Sequence, residues 1–189
     1  MDIEGQQVEA NAPSFSSWPI LSEDERWIDC IKDHHHEYSI DTSGVVSSYV
    51  NGSQKILKTI IKNQYCCVQI FRKSMQHEFK IAELVTKAFL GTWEFIFIDG
   101  NKSNHALDNL CAKNDALSPG EVWIDGYEME YSINADGECF SYYGNVKKRR
   151  KWYNYNGRLR VQFSAGREKK IMYQCNLLKI YFEGLTLAY

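Results

Sequence analysis

Beyond about residue 22, apolar positions fall into short alternating runs broken by Gly, Asn and Asp, with two longer stretches of helical period. Alternation marks strands, whereas apolar residues three and four apart mark a helix face. Glu37-Tyr38-Ser39-Ile40-Asp41, a tight turn at Gly44, and Ser48-Tyr49 read as a hairpin. The same text returns as Glu130-Tyr131-Ser132-Ile133-Asn134, Gly137 and Ser141-Tyr142, and Trp27-Ile28-Asp29 returns as Trp123-Ile124-Asp125. Later in each copy an apolar strand is expected, over residues 65–71 and 159–163. An amphipathic helix follows, over 81–90 with Leu84, Val85, Ala88 and Phe89 on one face, and over 173–182 with Leu177, Leu178 and Tyr181. Lys87 and Lys179 stand at equivalent places near the helix ends, where a cation favours the dipole. Blocks that recur in order at near-equal offsets predict a duplicated unit.

The expected fold class is therefore α+β: two tandem repeats of a small antiparallel sheet plus one helix. Residues 1–22, with Pro13, Pro19, Gly, Ser and acids but no apolar period, are expected to be a flexible acidic tail. The first unit is assigned to 23–118 and the second, basic unit to 119–189. Trp27, Trp93, Trp123, Phe71 and Phe89 are the aromatics expected to seed the cores. No apolar run approaches the roughly 20 residues that cross a bilayer, and the acidic N-terminus resembles neither a secretory signal nor a transit peptide. Six Cys without a repeated C-x-x-C pair suit reduced thiols. An intracellular protein (host nucleus, cytoplasm or virion) with no membrane contact is expected.

A net charge of −2 conceals polarity along the chain. Residues 140–189 hold eleven Lys or Arg against Glu168 and Glu183, so the rest of the chain is strongly acidic. Lys147-Lys148-Arg149-Arg150-Lys151 runs into Trp152-Tyr153-Asn154-Tyr155, and Arg158, Arg160, Arg167, Lys169 and Lys170 follow. Cations neutralise phosphates and aromatic rings stack on bases, so the cations of these runs, with Trp152 and Tyr153, are the candidate nucleic-acid contacts, with DNA favoured over RNA. In a strand, Arg158 and Arg160 share one face, opposite Leu159 and Val161. A solvated loop, a nuclear-import tag or an acidic protein partner fits the same run of cations.

Other signals point to bland readings. Asp99-Gly100-Asn101-Lys102-Ser103-Asn104 lacks the Gly and Glu positions of a calcium loop and reads as a polar turn. His34-His35-His36 after Cys30 has no second ligand pair at zinc spacing. Cys66-Cys67 lies in an apolar strand whose alternation buries one thiol. No metal or cofactor is expected.

Residues 97–110, F-I-D-G-N-K-S-N-H-A-L-D-N-L, resemble the metal-site signature of HNH endonucleases. Trp27, Tyr38-Ser39-Ile40 and Gly44-Val45-Val46-Ser47, with Glu121-Val122-Trp123, Gly126-Tyr127-Glu128 and Tyr131-Ser132-Ile133, resemble the NUMOD-type DNA-binding module of phage and large-virus homing endonucleases. The resemblance implies that the first unit carries, after its sheet and helix, a vestigial ββα hairpin over residues 95–114. Asp99, Asn104 and Asn109 keep the family frame. The catalytic His position is Phe97, an Asp metal-ligand position is Ile96, the helix-opening His is Ala82 (about Gln174 in the second copy), and a metal-binding Asn falls near Ser118. A phenyl ring takes no proton and an isoleucine binds no magnesium, so cleavage by the family mechanism is expected to be absent. The implied function is a non-catalytic nucleic-acid-binding protein of a phage or large DNA virus. The alternatives are a structural or adaptor protein of a virion or nucleoprotein assembly, docked to its proteins, and a nuclease using His105 with Asp99 and Asn109.

Overall fold

A computed structural model describes residues 19–29, 37–50, 53–72, 75–165 and 168–182. The tail to residue 18, Cys30 with His34–His36, and Arg167 lie outside the described residues. The fold is α+β and rich in small antiparallel sheets. Strands β1 (Glu25–Trp27), β2 (Tyr38–Asp41), β3 (Val46–Ser48) and β4 (Lys55–Ile56) form one meander. Strands β5 (Ile60–Lys62), β6 (Tyr65–Arg72) and β7 (Met75–Lys80) form a three-stranded sheet, and helix α1 (Ile81–Val85) continues as π-helical turns over Thr86–Leu90. A hairpin of β8 (Phe95–Phe97) and β9 (Leu110–Ala112) comes next. The second half contains β10 (Glu121–Trp123), β11 (Tyr131–Asn134), β12 (Cys139–Ser141) and β13 (Lys148–Arg149), again a meander. It ends with the sheet β14 (Tyr153–Tyr155), β15 (Arg158–Ala165) and β16 (Glu168–Tyr173), and helix α2 (Gln174–Phe182).

From β2 to β7, adding 93 to each residue number of the first half's ladders gives those of the second. Tyr38 faces Ser48 as Tyr131 faces Ser141, and Ser48 faces Lys55 as Ser141 faces Lys148. Ile60 faces Cys67 as Tyr153 faces Arg160, and Cys67 faces Lys80 as Arg160 faces Tyr173. Turn chemistry repeats too. Asn63-Gln64 and Asn156-Gly157 both take positive φ, the two-residue geometry whose twist matches that of hairpin strands. Gly44 and Gly137 also have positive φ, and a Cβ there would collide with the His105 ring and the Gln174 side chain respectively.

Each half has its own apolar core. Ile40, Val68, Ile70, Leu84, Val85, Phe95 and Phe97 lead the first; Ile124, Tyr131, Ile133, Val161, Phe163 and Leu177 lead the second. Val146, from the second half, is buried in the first core and lies against Gly100, so the hairpin region joins the halves.

Several expectations are corrected. Phe71 and Trp93 are exposed, and Trp27 and Trp123 are half-buried, each edge-on to a tyrosine (Tyr49, Tyr142). Both thiols of Cys66-Cys67 are buried, because Cys67, although on the outer face, lies directly across from Lys80, which reaches over to the Tyr65 ring. The last turns of the first helix are π-helical; the Thr86 hydroxyl donates to the Ala82 carbonyl (2.9 Å), a bond of the kind that distorts a helix locally. Lys87 does cap its helix, donating to the Gly91 carbonyl (3.0 Å), but its counterpart by register is Ile180 rather than Lys179. No α-helix follows the β8–β9 hairpin: a short 3-10 turn, Lys113–Asp115, leads to Ser118-Pro119, and the residue before a proline disfavours helix.

Candidate nucleic-acid interface

Pleating sorts β15 into two faces. Val161 and Phe163 are buried against α2 and the meander, while Arg158, Arg160 and Gln162 point outward. Across the ladder, Tyr153 lies opposite Arg160 and Tyr155 opposite Arg158, so both tyrosines join the arginines on the outer face. Tyr153 is 63% exposed and Tyr155 49%. The Arg160 guanidinium sits over the Tyr155 ring, 4.1 Å from its centroid, an attraction that fixes both groups. On the other flank Ile171 and Lys169 stand opposite Gln162 and Ser164. A groove of about 530 Å³ runs here, lined by Arg150, Tyr153, Asn154, Arg160, Gln162 and Ile171, among others. Arg158 and Arg160 form no ion pair among the described residues.

The remaining basic residues divide by environment. Lys148, Lys151, Lys169 and Lys170 are exposed. Arg149 is exposed but paired with Glu138 at 2.6 Å. Trp152 is turned inward; its indole N–H donates to the Gly137 carbonyl (2.8 Å) and its ring packs on the second core. Lys147 is committed elsewhere. Its ammonium donates to Glu121 (2.6 Å), Ser118 Oγ (3.1 Å) and the Ala116 carbonyl (3.3 Å), and lies over the Phe140 ring. The structure thus gathers Arg150, Tyr153, Arg158, Arg160 and Lys169 on one side and withdraws Lys147 and Trp152 from it. Tyr155 is the residue that sequence reasoning left out of its site, although alternation with Tyr153 signals it.

Glu121 is the other residue missed. Its carboxylate, 1% exposed, also accepts from the Ser132 hydroxyl, the Tyr142 hydroxyl (2.8 Å) and the Ser118 amide (2.9 Å). Burial alone would raise this carboxyl, but the Lys147 ammonium and the other donors prevail and hold it below its ordinary value. The first half repeats the motif more loosely: Glu25 accepts from Ser39 and from Tyr49 (3.4 Å) and is only half-buried. The Glu-x-Trp text shared by Glu25-Ser39 and Glu121-Ser132 surroundings was the available signal.

At the hairpin, Phe97 and Ile96 are buried, with Phe97 edge-on to Phe95 (5.4 Å) and tilted against Tyr65 (6.1 Å). Ala82 is buried in α1. Asp99 accepts from the Asn104 amide (2.9 Å), the Asn101 backbone (2.7 Å) and the Asn109 amide (2.9 Å), bonds that hold its carboxyl below the ordinary range. This is the polar turn expected from its residues. His105 Nδ1 lies 3.0 Å from the Ser103 carbonyl, and a carbonyl only accepts, so that nitrogen carries the proton. Among the described residues no three His, Cys, Asp or Glu side chains cluster as metal ligands, and no helix is long and apolar enough to cross a membrane.

The chain matches no protein-family model and no curated protein sequence. It is similar to a solved structure of DNA binding and cleavage by the HNH homing endonuclease I-HmuI, at 27% identity and a TM-score of 0.39, over 48% of this chain and 53% of that one. The match thus spans about half the length of that protein.

Proposed function

We propose that this chain is a non-catalytic nucleic-acid-binding protein, with DNA as its preferred partner and the outer face of β14–β16 as its contact surface. One observation carries the reading: Arg158 and Arg160 form no ion pair among the described residues and stand beside two exposed tyrosines on one sheet face. Phosphate neutralisation by such cations is the main source of affinity for nucleic acid. The absence of catalysis rests on Phe97 and Ile96, whose side chains are buried and offer neither a proton acceptor nor a metal ligand. The matching ladders of the two halves support descent by tandem duplication of one NUMOD-like unit, and the motif text supports an origin in a phage or large DNA virus.

The test is fluorescence anisotropy of labelled DNA titrated with the protein across a salt series, with and without magnesium, the DNA then run on a gel. The expected result is binding that weakens steeply with salt and leaves the DNA intact. No binding at physiological salt would remove the reading and favour a protein-docking role. Magnesium-dependent nicking would remove its non-catalytic part.

A further inference from the structure

The shape of the β14–β16 face bears on which form of nucleic acid it takes. In a duplex the base faces are stacked on one another, and a protein meets only phosphates, sugars and groove edges. A ring standing free on a sheet can lie against a base face only where the base is unpaired. Tyr153 is such a ring: it is 63% exposed, and among the described residues no other ring or cation packs on it. Directly across the ladder, Arg160 is already laid on Tyr155, so its donor edge is oriented before any ligand arrives. Arg150 lines the same groove, with Asn154 and Gln162 as polar groups able to meet a base edge. The groove, at about 530 Å³, has the scale of a pocket for one small ligand rather than a cradle for a double helix. The first half provides the contrast, since the place of Tyr153 is taken there by Ile60 and that of Arg160 by the buried Cys67.

Resting on the nucleic-acid reading above, we infer that this groove selects single-stranded nucleic acid, seating an unpaired base on Tyr153 and its phosphate between Arg150 and Arg160. Sequence preference is weak in such an arrangement, because every base has a face to stack.

The experiment compares a short labelled single strand of mixed sequence with the same strand annealed to its complement, at matched salt, for the full chain and for Tyr153→Ala and Tyr153→Phe. The single strand is expected to bind at least about tenfold more tightly than the duplex. Tyr153→Ala should narrow that gap by at least about fivefold, as loss of one stacked base does, and Tyr153→Phe should restore it. The exposure of Tyr153 keeps both variants foldable, which circular dichroism checks. Duplex binding equal to or tighter than single-strand binding overturns the inference while leaving the nucleic-acid reading intact, and so does a gap that Tyr153→Ala leaves unchanged. Failure of both probes to bind overturns the two together.

Discussion

Cys67 and Arg160 hold the same place in their two three-stranded sheets, each facing the last residue of the strand that leads into the helix. Around Cys67 the outer face is closed. Lys62 is paired with Glu78 (2.9 Å), Lys80 with Glu83 (2.6 Å), and the Lys80 and Lys102 ammoniums both lie over the Tyr65 ring. Around Arg160 the face is open: Tyr155 stands where Lys62 stood, Arg158 in place of Tyr65 and Ile171 in place of Glu78. One backbone thus supports a self-satisfied surface in the first half and an unsatisfied cationic one in the second. Backbone pairing and inward-facing residues fix the sheet, and the outward residues remain free to change. That separation explains how a fold can persist while its surface acquires or loses a ligand.

The comparison can be attacked first at the carboxylates beneath the meanders. Replacing Lys147 by Gln leaves the buried Glu121 without its cation and should cost about 3 kcal/mol in a urea or guanidinium titration. The register counterpart of Lys147 is Gln54, which donates to Ser47 Oγ (3.2 Å), and Gln54→Ala should cost under about 1 kcal/mol. Acid should expose the same asymmetry. The Glu121 carboxyl is held down in the folded state, so its contribution is complete above the ordinary carboxylate range and lost as pH falls through the depressed value. Unfolding titrations between neutral pH and pH ~3 should show that loss in the parent chain and a weaker one in Lys147→Gln. An equal pH dependence in both would contradict the network.

Phe97→His, which puts an imidazole where the HNH signature has its histidine, should cost roughly 2 kcal/mol by burying that ring among Phe95, Tyr65 and neighbouring apolar groups. It should not produce magnesium-dependent nicking; nicking by this variant would show that the hairpin retains a latent site. A smaller effect is expected from Glu78→Ala, which frees Lys62 and makes the first face more like the second. Affinity for DNA at low salt should rise, by about twofold. A further small effect is expected in the turn between β5 and β6, from Gln64→Gly. Gln64 has φ of 70° where Gly157 stands in the other turn, so the substitution should stabilise by about 0.5–1 kcal/mol, read as a shift of the thermal midpoint.

Local text and alternation made most of the sheet structure legible. Tyr38-Ser39-Ile40 and Tyr131-Ser132-Ile133 announce equivalent strands, and Arg158, Arg160 against Val161, Phe163 announce two faces. What escaped depends on partners distant in sequence. Trp152 adjoins a run of cations and looks available for stacking until the Gly137 carbonyl claims its N–H. Lys147 looks like its neighbours until Glu121, 26 positions away, takes its charge. The slip between Lys179 and Ile180 has another origin. Equal charge near two helix ends suggested equivalence, whereas the hydrogen-bonded ladder places them one residue apart. Phe71 and Trp93 are large and aromatic yet exposed, since size does not set the direction of a side chain.

The most direct test of the difference between the two faces is the salt dependence of DNA affinity for paired charge reversals. The double variant Arg158→Glu/Arg160→Glu should lose at least about tenfold in affinity at moderate salt and flatten the log–log salt slope by about 2. Lys62→Glu, on the closed face, should change neither by more than about twofold. Equal losses from both variants, or none from the double variant, would contradict the claim that the second sheet carries the nucleic-acid surface.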